Sequence, residues 1–172
     1  KKEEKERLIA AMERAWNHGI VVVAAAGNNG PDAGSVTIPG ILKTIITVGS
    51  SDDEGLPAKQ HGLMPGYSGR GPTDQCIVKP EILAPGTNII SCSAGGKLYE
   101  MKSGTSMATP FVCGSAALMM EWGIVRGNDP FLYGQKLKSY LIKGSRKLPG
   151  FTRWPNEQAG WGALCVSESI PK

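Results

Sequence analysis

Apolar positions along the chain repeat in two ways, and the two patterns follow one another. Residues 3–18 place apolar side chains at three- and four-residue intervals, which predicts an amphipathic helix that ends before Gly19. Residues 20–26 form an unbroken run of β-branched and small apolar residues, the pattern of a strand buried on both faces of a parallel sheet. A helix, a short link and a buried strand in succession predict an α/β fold.

Shorter extended segments are predicted after this first strand. Residues 45–48 predict the next strand of the sheet, and residues 82–84 and 88–91 predict two short extended pieces. Residues 97–101 predict one arm of a hairpin. In contrast, residues 52–72 are rich in Gly, Pro and polar side chains, and we expect them to form a surface excursion.

The second half of the chain is predicted to be mainly helical. Residues 111–122 are apolar almost all round, which predicts a helix buried in a core, with Pro110 in its first turn. A further helix is predicted after Pro130 and ends at residues 143–144. Residues 151–172 are rich in glycine and aromatic side chains and predict a terminal hairpin and tail.

Composition and charge are those of a piece of an ordinary globular enzyme. The chain has 172 residues, 41% of them hydrophobic and 20% charged, which is enough for one domain-sized core. Its formal net charge of +4 is small and scattered, so no nucleic-acid partner is expected. No stretch is expected to reach the apolar length of a membrane span, so no membrane partner is expected either.

The cysteines give no sign of a metal site. They form no C-x-x-C pair and have no histidine at ligand spacing, which argues against zinc. A chain that can build a core of this size does not need disulfides, so we expect free thiols. Cys113 is expected to be a small core residue of the apolar helix. The cysteines are Cys76, Cys92, Cys113 and Cys165.

The sharpest chemical signal is the heptapeptide Gly-Thr-Ser-Met-Ala-Thr-Pro at residues 104–110, which brings one hydroxyl to the start of the apolar helix. Free N–H groups of the first turn and the positive end of the helix dipole converge there, and they stabilise negative charge on a substrate oxygen. Ser106 in this setting is typical of a nucleophile. A single hydroxyl at a helix start is more often a simple cap, so the interpretation depends on the complete heptapeptide.

The heptapeptide resembles the nucleophile segment of the subtilisin-like serine peptidases, and other motifs follow in that family's order. Residues 21–30, Val-Val-Val-Ala-Ala-Ala-Gly-Asn-Asn-Gly, resemble the strand and turn that carry the family's oxyanion-hole asparagine. The resemblance covers almost the whole chain and implies a partial subtilisin-like three-layer α/β fold with a parallel sheet. The other matching motifs lie at residues 38–40, 45–49, 67–72, 79–86 and 160–162.

The resemblance implies a role for each matching site residue. The chain is identified as part of a serine endopeptidase with polypeptide substrates. Ser106 would attack the peptide carbonyl, and Asn28 would donate from its side chain to the oxyanion that forms. The backbone N–H of Ser106 would be the second donor. One wall of the primary specificity pocket would be formed by Ala24, Ala25, Ala26 and Gly27.

The family's triad runs Asp, His, Ser along the chain, and the motifs that carry the first two have no counterpart in this sequence. Neither His18, at the end of the first helix, nor His61, in a Gly- and Pro-rich loop, resembles the family's catalytic histidine. Residues 1–172 are therefore interpreted as the C-terminal portion of a single catalytic domain whose upstream strands are missing. We expect this portion to be inactive alone.

A chain that forms only part of a catalytic domain is expected to need a partner for the surfaces that the rest of the domain would cover. The missing N-terminal half is expected to cover the sheet edge at residues 20–26, and without it the chain is expected to self-associate through that edge. The sequence leaves open whether the protein is secreted or cytoplasmic, since the residues that would decide this lie upstream.

Two other functional classes remain open. If the upstream half has lost its Asp or His, the protein is a non-catalytic scaffold or regulatory module. Alternatively, residues 21–30 are a strand followed by a glycine-rich phosphate loop, although the G-x-G-x-x-G spacing is absent and no helix start follows.

A structural cation is the one cofactor that the resemblance to the family suggests. Pro39 matches a family position that commonly follows a cis peptide bond, beside a weak cation site formed by backbone carbonyls. Carbonyl ligands have no side-chain signature, so calcium or sodium is compatible with the sequence without being indicated by it. No other metal or cofactor is expected.

Overall fold

The centre of the fold is a parallel sheet of three strands in the order β1-β2-β3. The computed structural model describes residues 2–55, 62–94, 96 and 98–171. Every residue of the middle strand is buried, so its side chains face protein on both faces of the sheet. The α/β class with a parallel sheet is therefore confirmed. The strands are Val23–Ala25 (β1), Ile46–Ser50 (β2) and Ile82–Ala84 (β3).

An antiparallel hairpin and several helices complete the described structure. The hairpin leads into the second helix, as the sequence predicts. A 3-10 turn at Asp53–Gly55 and a π turn at Glu121–Val125 are additional elements that the sequence did not predict. The hairpin strands are Ile89–Cys92 (β4) and Tyr99–Lys102 (β5), and the helices are Lys2–Asn17 (α1), Thr105–Met120 (α2), Gly134–Lys143 (α3) and Val166–Ser169 (α4).

The core lies between α2 and the sheet. α2 contacts all three strands, and Val112 and Met119 on its inner face are fully buried. Leu137 and Leu141 of α3 close the core from the side. Burial of an aliphatic side chain of this size contributes about 1.5–3 kcal/mol to stability, so these four positions are a substantial part of what holds the helices on the sheet.

The prediction that α2 is buried all round is wrong. Leu118 is 59% exposed, and Cys113, expected in the core, is exposed as well. The reason is that the sheet covers only one side of the helix. α2 also begins at Thr105, so Pro110 lies in the second turn and not in the first. The four cysteines, all within described residues, are unpaired.

The helical stretch Thr105–Val125 has 21 residues and is long and apolar enough to cross a membrane, contrary to the expectation from the sequence. This stretch consists of α2 and the π turn that continues it. Its inner face packs against the sheet, which is the setting of a core helix. Apolar composition here therefore serves the contact with the strands.

β1 is shorter and less buried than predicted. The expected strand at residues 20–26 is reduced to Val23–Ala25, and only Ala24 of these residues is buried. Within the described structure β1 pairs only with β2, and Ile20 just before it is 59% exposed. A run of apolar residues predicts burial on both faces, but here one face has no cover.

Part of the predicted surface excursion at residues 52–72 is in fact buried. Tyr67 is 1% exposed, and its hydroxyl donates to Ser50 Oγ at 2.9 Å. Ser68 Oγ accepts from Ser50 N–H at 2.9 Å. These bonds close the carboxyl end of β2, which explains why a polar segment is buried. His61, predicted to lie in this excursion, is outside the described residues.

The predicted terminal hairpin is also wrong. Within the described residues after position 150, the backbone forms an isolated bridge between Asn156 and Gly160 and the short helix α4. Ala163 forms bridges with both Leu83 of β3 and Arg146. The segment therefore extends the edge of the central sheet by single pairs and does not fold back on itself as two strands.

Two lysines and a glutamate are buried together beside the start of β2. Lys79 is 0% exposed, and its ammonium group lies 2.6 Å from Glu81 Oε1. Lys138 of α3 is at the same distance from the same oxygen. Burial lowers the pKa of Lys79 to about 8, and the charge of Lys138 adds to this effect while Glu81 opposes it.

The pKa of Lys79 predicts a rise of stability with pH. Its pKa is about 8 in the folded protein and 10.5 for a lysine in water, so the unfolded chain binds more protons between these pH values. We expect the free energy of unfolding, relative to Lys79→Met, to rise by at most about 3 kcal/mol across this window. Urea unfolding of both proteins at several pH values measures the difference.

The matched control is Lys143→Met, which removes an exposed lysine of α3. We expect its stability to follow the wild type across the same pH range. A constant difference between the wild type and Lys79→Met over the window between the two pKa values would contradict the prediction.

Candidate active site

Ser106 is the second residue of α2 and is exposed at the carboxyl end of the sheet. Gly104 caps the helix, and Asn28 lies in the turn after β1 beside it. Among the described residues, no hydrogen bond reaches the hydroxyl or the backbone N–H of Ser106. Both groups are therefore free to interact with a molecule bound at this edge, where parallel α/β sheets commonly bind their ligands.

The side chain of Asn28 is fixed by Thr105. Asn28 Oδ1 accepts from the backbone N–H of Thr105 at 2.9 Å and from its hydroxyl at 2.9 Å. The same hydroxyl accepts from Gly27 N–H at 3.2 Å. Because two donors converge on Oδ1, the amide has one orientation and its Nδ2 group is left to donate. Asn28 and the start of α2 therefore form one hydrogen-bonded unit.

Gly104 leaves the space that this arrangement needs. Its φ of 144° lies in the region that favours glycine, and a Cβ there would be 3.3 Å from Asn28 Nδ2. Gly104 N–H donates to the carbonyl of Gly86 at 2.8 Å. Asp52 Oδ1 in turn accepts from Gly86 N–H at 2.8 Å and from Thr87 N–H at 3.0 Å. The start of α2 is thus held from two sides.

Pro110 affects the backbone of the candidate nucleophile. A proline inside a helix lacks the N–H that would bond the carbonyl four residues earlier, and here that carbonyl belongs to Ser106. N–H groups of the first turn also have no acceptor within the helix. The backbone of Ser106 is therefore less engaged in helical hydrogen bonds than any position in the middle of α2.

Two open cavities meet at Ser106. One, of about 680 Å³, lies between α2 and the segment around β1, and the other, of about 390 Å³, lies between α2 and the β4–β5 hairpin. Ala25 and Cys113 line the first cavity. Met107 and Phe111 line the second. Ser106 therefore borders open space on both sides of the start of α2.

The four residues expected to form one wall of the specificity pocket differ in whether their side chains reach the cavity at Ser106. Ala25 lines the larger cavity with Ser106, whereas Ala24 and Ala26 are buried and face the interior of the fold. Gly27 has a φ of 95°, and a Cβ there would lie 2.4 Å from Thr37 Oγ1. Of the four, only Ala25 therefore brings its side chain to the cavity.

His18 lies at the other end of α2. It lines a cavity with Met120 and Ile124, and its Nδ1 is 2.7 Å from the carbonyl of Arg14. Ser106 and Met120 are separated by most of α2, roughly 21 Å at 1.5 Å per residue. His18 therefore does not reach the hydroxyl of Ser106. The other histidine, His61, is outside the described residues.

Sequence reasoning missed the residues that support this site. Thr105 lies inside the recognised heptapeptide, so its position in the motif was the available signal. Asp52 gave no signal, since acidic residues such as those at positions 52–54 are common in turns after a strand. In the part of the chain that the structure describes, no cluster of three or more His, Cys, Asp or Glu side chains could hold a metal ion.

Comparison with known proteins gives a consistent result. The profile of the subtilase family matches residues 1–162. The serine protease AprX of Bacillus subtilis is 37% identical over 185 residues, which cover 98% of this chain and 39% of AprX. The chain therefore spans well under half the length of this curated relative.

Solved structures agree with the sequence matches. The CspB protease of Clostridium perfringens has a TM-score of 0.70 at 38% identity, covering 82% of this chain and 29% of that one. The patellamide maturation protease PatA has a TM-score of 0.72 at 32% identity, covering 95% of this chain and 54% of that one.

The link between Asn28 and Thr105 predicts a cost for losing one hydroxyl. Thr105→Val keeps the shape of the side chain but leaves Gly27 N–H without its acceptor and removes one donor to Asn28 Oδ1. We expect it to lower the free energy of unfolding by about 1–3 kcal/mol. Thr105→Ser keeps the hydroxyl and should lose less. Equal losses in urea unfolding of the two variants would show that the hydroxyl is not what holds Asn28.

Proposed function

The chain belongs to the subtilase family, and on this premise we propose that Ser106 is the nucleophile of a serine endopeptidase. Its oxygen attacks the carbonyl carbon of a peptide bond, and the carbonyl oxygen becomes an oxyanion. Collapse of this intermediate releases the amine and leaves an acyl group on Ser106, which water then hydrolyses. The exposed position of Ser106 at the start of α2 supports this role.

The observation that carries the proposal is the fixed amide of Asn28. Two donors from Thr105 hold Oδ1, so Nδ2 can donate without reorientation when the oxyanion forms. The backbone N–H of Ser106 is the second donor, since nothing in the described residues accepts from it. Two donors set before the reaction stabilise the charge where it develops.

A serine hydroxyl is a weak nucleophile at neutral pH and needs a base to take its proton. His18 lies at the opposite end of α2, and neither His18 nor His61 has the sequence surroundings of the family's catalytic histidine. We infer that the base and the acid that orients it come from a segment outside this chain. The chain alone should then be close to inert, because subtilisin itself loses on the order of 10⁶ in turnover without its histidine.

The open face beside β1 supports a partner for this chain. Parallel sheets are normally covered on both faces, yet Ile20 and Val22 line an open cavity with Pro110 and Gly114 of α2. We propose that an N-terminal half of the catalytic domain packs on this face and brings the base to Ser106. Without it, the same face is expected to pair with a second copy.

The role of each donor can be tested in the full-length gene product. We expect Ser106→Ala to abolish labelling by a fluorophosphonate probe and Asn28→Ala to lower peptide turnover by about 10²- to 10³-fold, the range measured for the corresponding donor in subtilisin. The physical reason is that the oxyanion then keeps only the backbone donor of Ser106. The measurements are gel-based labelling and hydrolysis of a peptide substrate.

Asn29→Ala is the matched control, since it changes the neighbouring exposed asparagine of the same turn. We expect it to retain turnover within a few-fold of the wild type. Labelling that survives in Ser106→Ala would disprove the assignment of the nucleophile. Failure of the wild-type gene product to label would favour a scaffold or regulatory role instead.

The isolated chain is expected to self-associate through its open face. Light scattering should give a mass above the monomer at high concentration, and Ile20→Asp should lower it by placing a charge in the cavity. Ile90→Asp is the control, because Ile90 is 69% exposed on the hairpin and away from β1. A monomeric wild type that binds no hydrophobic dye would count against the prediction.

A further inference from the structure

Four oxygen atoms surround the ammonium group of Lys138. This group donates to three consecutive backbone carbonyls just before β2 and to one carboxylate oxygen of the residue that precedes β3. No other α3 side chain in the described structure makes such a set of contacts. The oxygens belong to Lys43 (2.8 Å), Thr44 (3.4 Å), Ile45 (2.8 Å) and Glu81 (Oε1, 2.6 Å).

A second ammonium group borders the same oxygens. Lys79 Nζ lies 3.2 Å from the carbonyl of Ile45 and 2.6 Å from Glu81 Oε1. Its third contact is Thr47 Oγ1 at 3.0 Å. The other carboxylate oxygen of Glu81 accepts from Thr47 N–H at 2.8 Å. Both carboxylate oxygens of Glu81 therefore accept from buried donors, and the side chains of Glu81 and Lys79 are themselves buried.

An oxygen cage of backbone carbonyls and one carboxylate is the donor set that hard cations select. It begins four residues after Pro39, in the region where the family resemblance implies a weak cation bound by carbonyls. In this chain the carbonyls already point at an ammonium group. A metal ion at the same place would lie beside two positive charges with a single carboxylate to balance them, so it does not fit.

We propose that the ammonium group of Lys138 takes the place of a structural metal cation in this chain. The hydrogen bonds of Lys138 connect α3 to the backbone just before β2. A bound ion would stabilise the same stretch of backbone by binding its carbonyls. It follows that the wild-type protein gains no stability from calcium or from alkali ions at this site. It also follows that removal of the lysine opens a cation site.

The size of the cage indicates which ion would enter. Calcium takes six to eight oxygens at about 2.3–2.6 Å, whereas this cage offers four at 2.6 to 3.4 Å around the nitrogen. Lys79 also remains nearby as a positive charge, which disfavours a divalent ion. The opened site should therefore bind a large monovalent cation, potassium or ammonium, in preference to calcium.

The test compares thermal unfolding of the wild type, Lys138→Ala and Lys136→Ala in the full-length gene product. Lys136 is the matched control, since it lies on α3 but pairs with Asp129 at 2.7 Å on the surface. Each protein is measured in tetramethylammonium, potassium, ammonium and calcium chloride at one ionic strength. Tetramethylammonium is too large to enter the cage and sets the baseline.

We expect Lys138→Ala to lower the midpoint by more than about 5 °C in tetramethylammonium chloride, because it breaks a buried ion pair. Potassium or ammonium should restore about half of that loss. The wild type and Lys136→Ala should show the same midpoint in all four salts.

Two results would overturn the proposal. The first is a wild type whose midpoint rises with calcium or potassium and falls again on chelation or removal of the ion. The second is a folded Lys138→Ala whose midpoint does not depend on the cation. If Lys138→Ala does not fold in any salt, Lys138→Met, which keeps the apolar stem, replaces it, and the wild-type measurement still decides the first point.

Discussion

The complete burial of β2 is the constraint on which the rest of the structure depends. Its five residues are all buried, so the polar side chains within it need partners within the protein. The Thr47 hydroxyl donates to the carbonyl of Gly40 at 2.6 Å, and Ser50 is engaged by Tyr67 and Ser68. The charged cluster of Glu81 and the two lysines meets the same requirement at the other end of the strand. Polar partners thus mark both ends of a wholly buried strand.

The candidate site benefits from this rigid centre. Asn28 and Thr105 are 77 positions apart, yet their bonds join the turn after β1 to the start of α2. Asp52, just beyond β2, accepts a hydrogen bond from Gly86 N–H, and the carbonyl of Gly86 accepts one from Gly104 N–H. The three segments that follow the parallel strands and the segment that leads into α2 are therefore connected to one another by backbone and side-chain hydrogen bonds. Among the described residues, no hydrogen bond reaches the hydroxyl or the backbone N–H of Ser106, and Asn28 Nδ2 beside it is also left to donate.

Local motifs of the sequence indicated which segments meet at the candidate site, whereas its apolar pattern overestimated burial. The heptapeptide and the Asn28 turn are local patterns, and the structure brings the two segments together through the hydrogen bonds of Asn28 with Thr105. The length of β1 and the exposure of Cys113 were not predicted. An apolar pattern indicates which side chains favour burial, but it does not indicate whether another element is present to cover them. Pro110 was assigned to the wrong turn, since the contacts of Thr105 with Asn28 start the helix earlier than the apolar pattern does. Contacts such as Lys138 with Glu81 join distant positions, and no local pattern predicts them.

The lysine in the oxygen cage has a consequence for how the fold is assembled. A free ion must be captured from solution, and its occupancy depends on how much of it the surroundings contain. An ammonium group on a side chain binds within the molecule, so its effective concentration at the cage is set by the length of its stem and the position of α3. The ordering of that stem costs about 1.5–2 kcal/mol of rotamer freedom, which is the main entropic term against it. Each molecule therefore carries its own positive charge for the start of β2. That charge is in place as soon as α3 packs against the sheet.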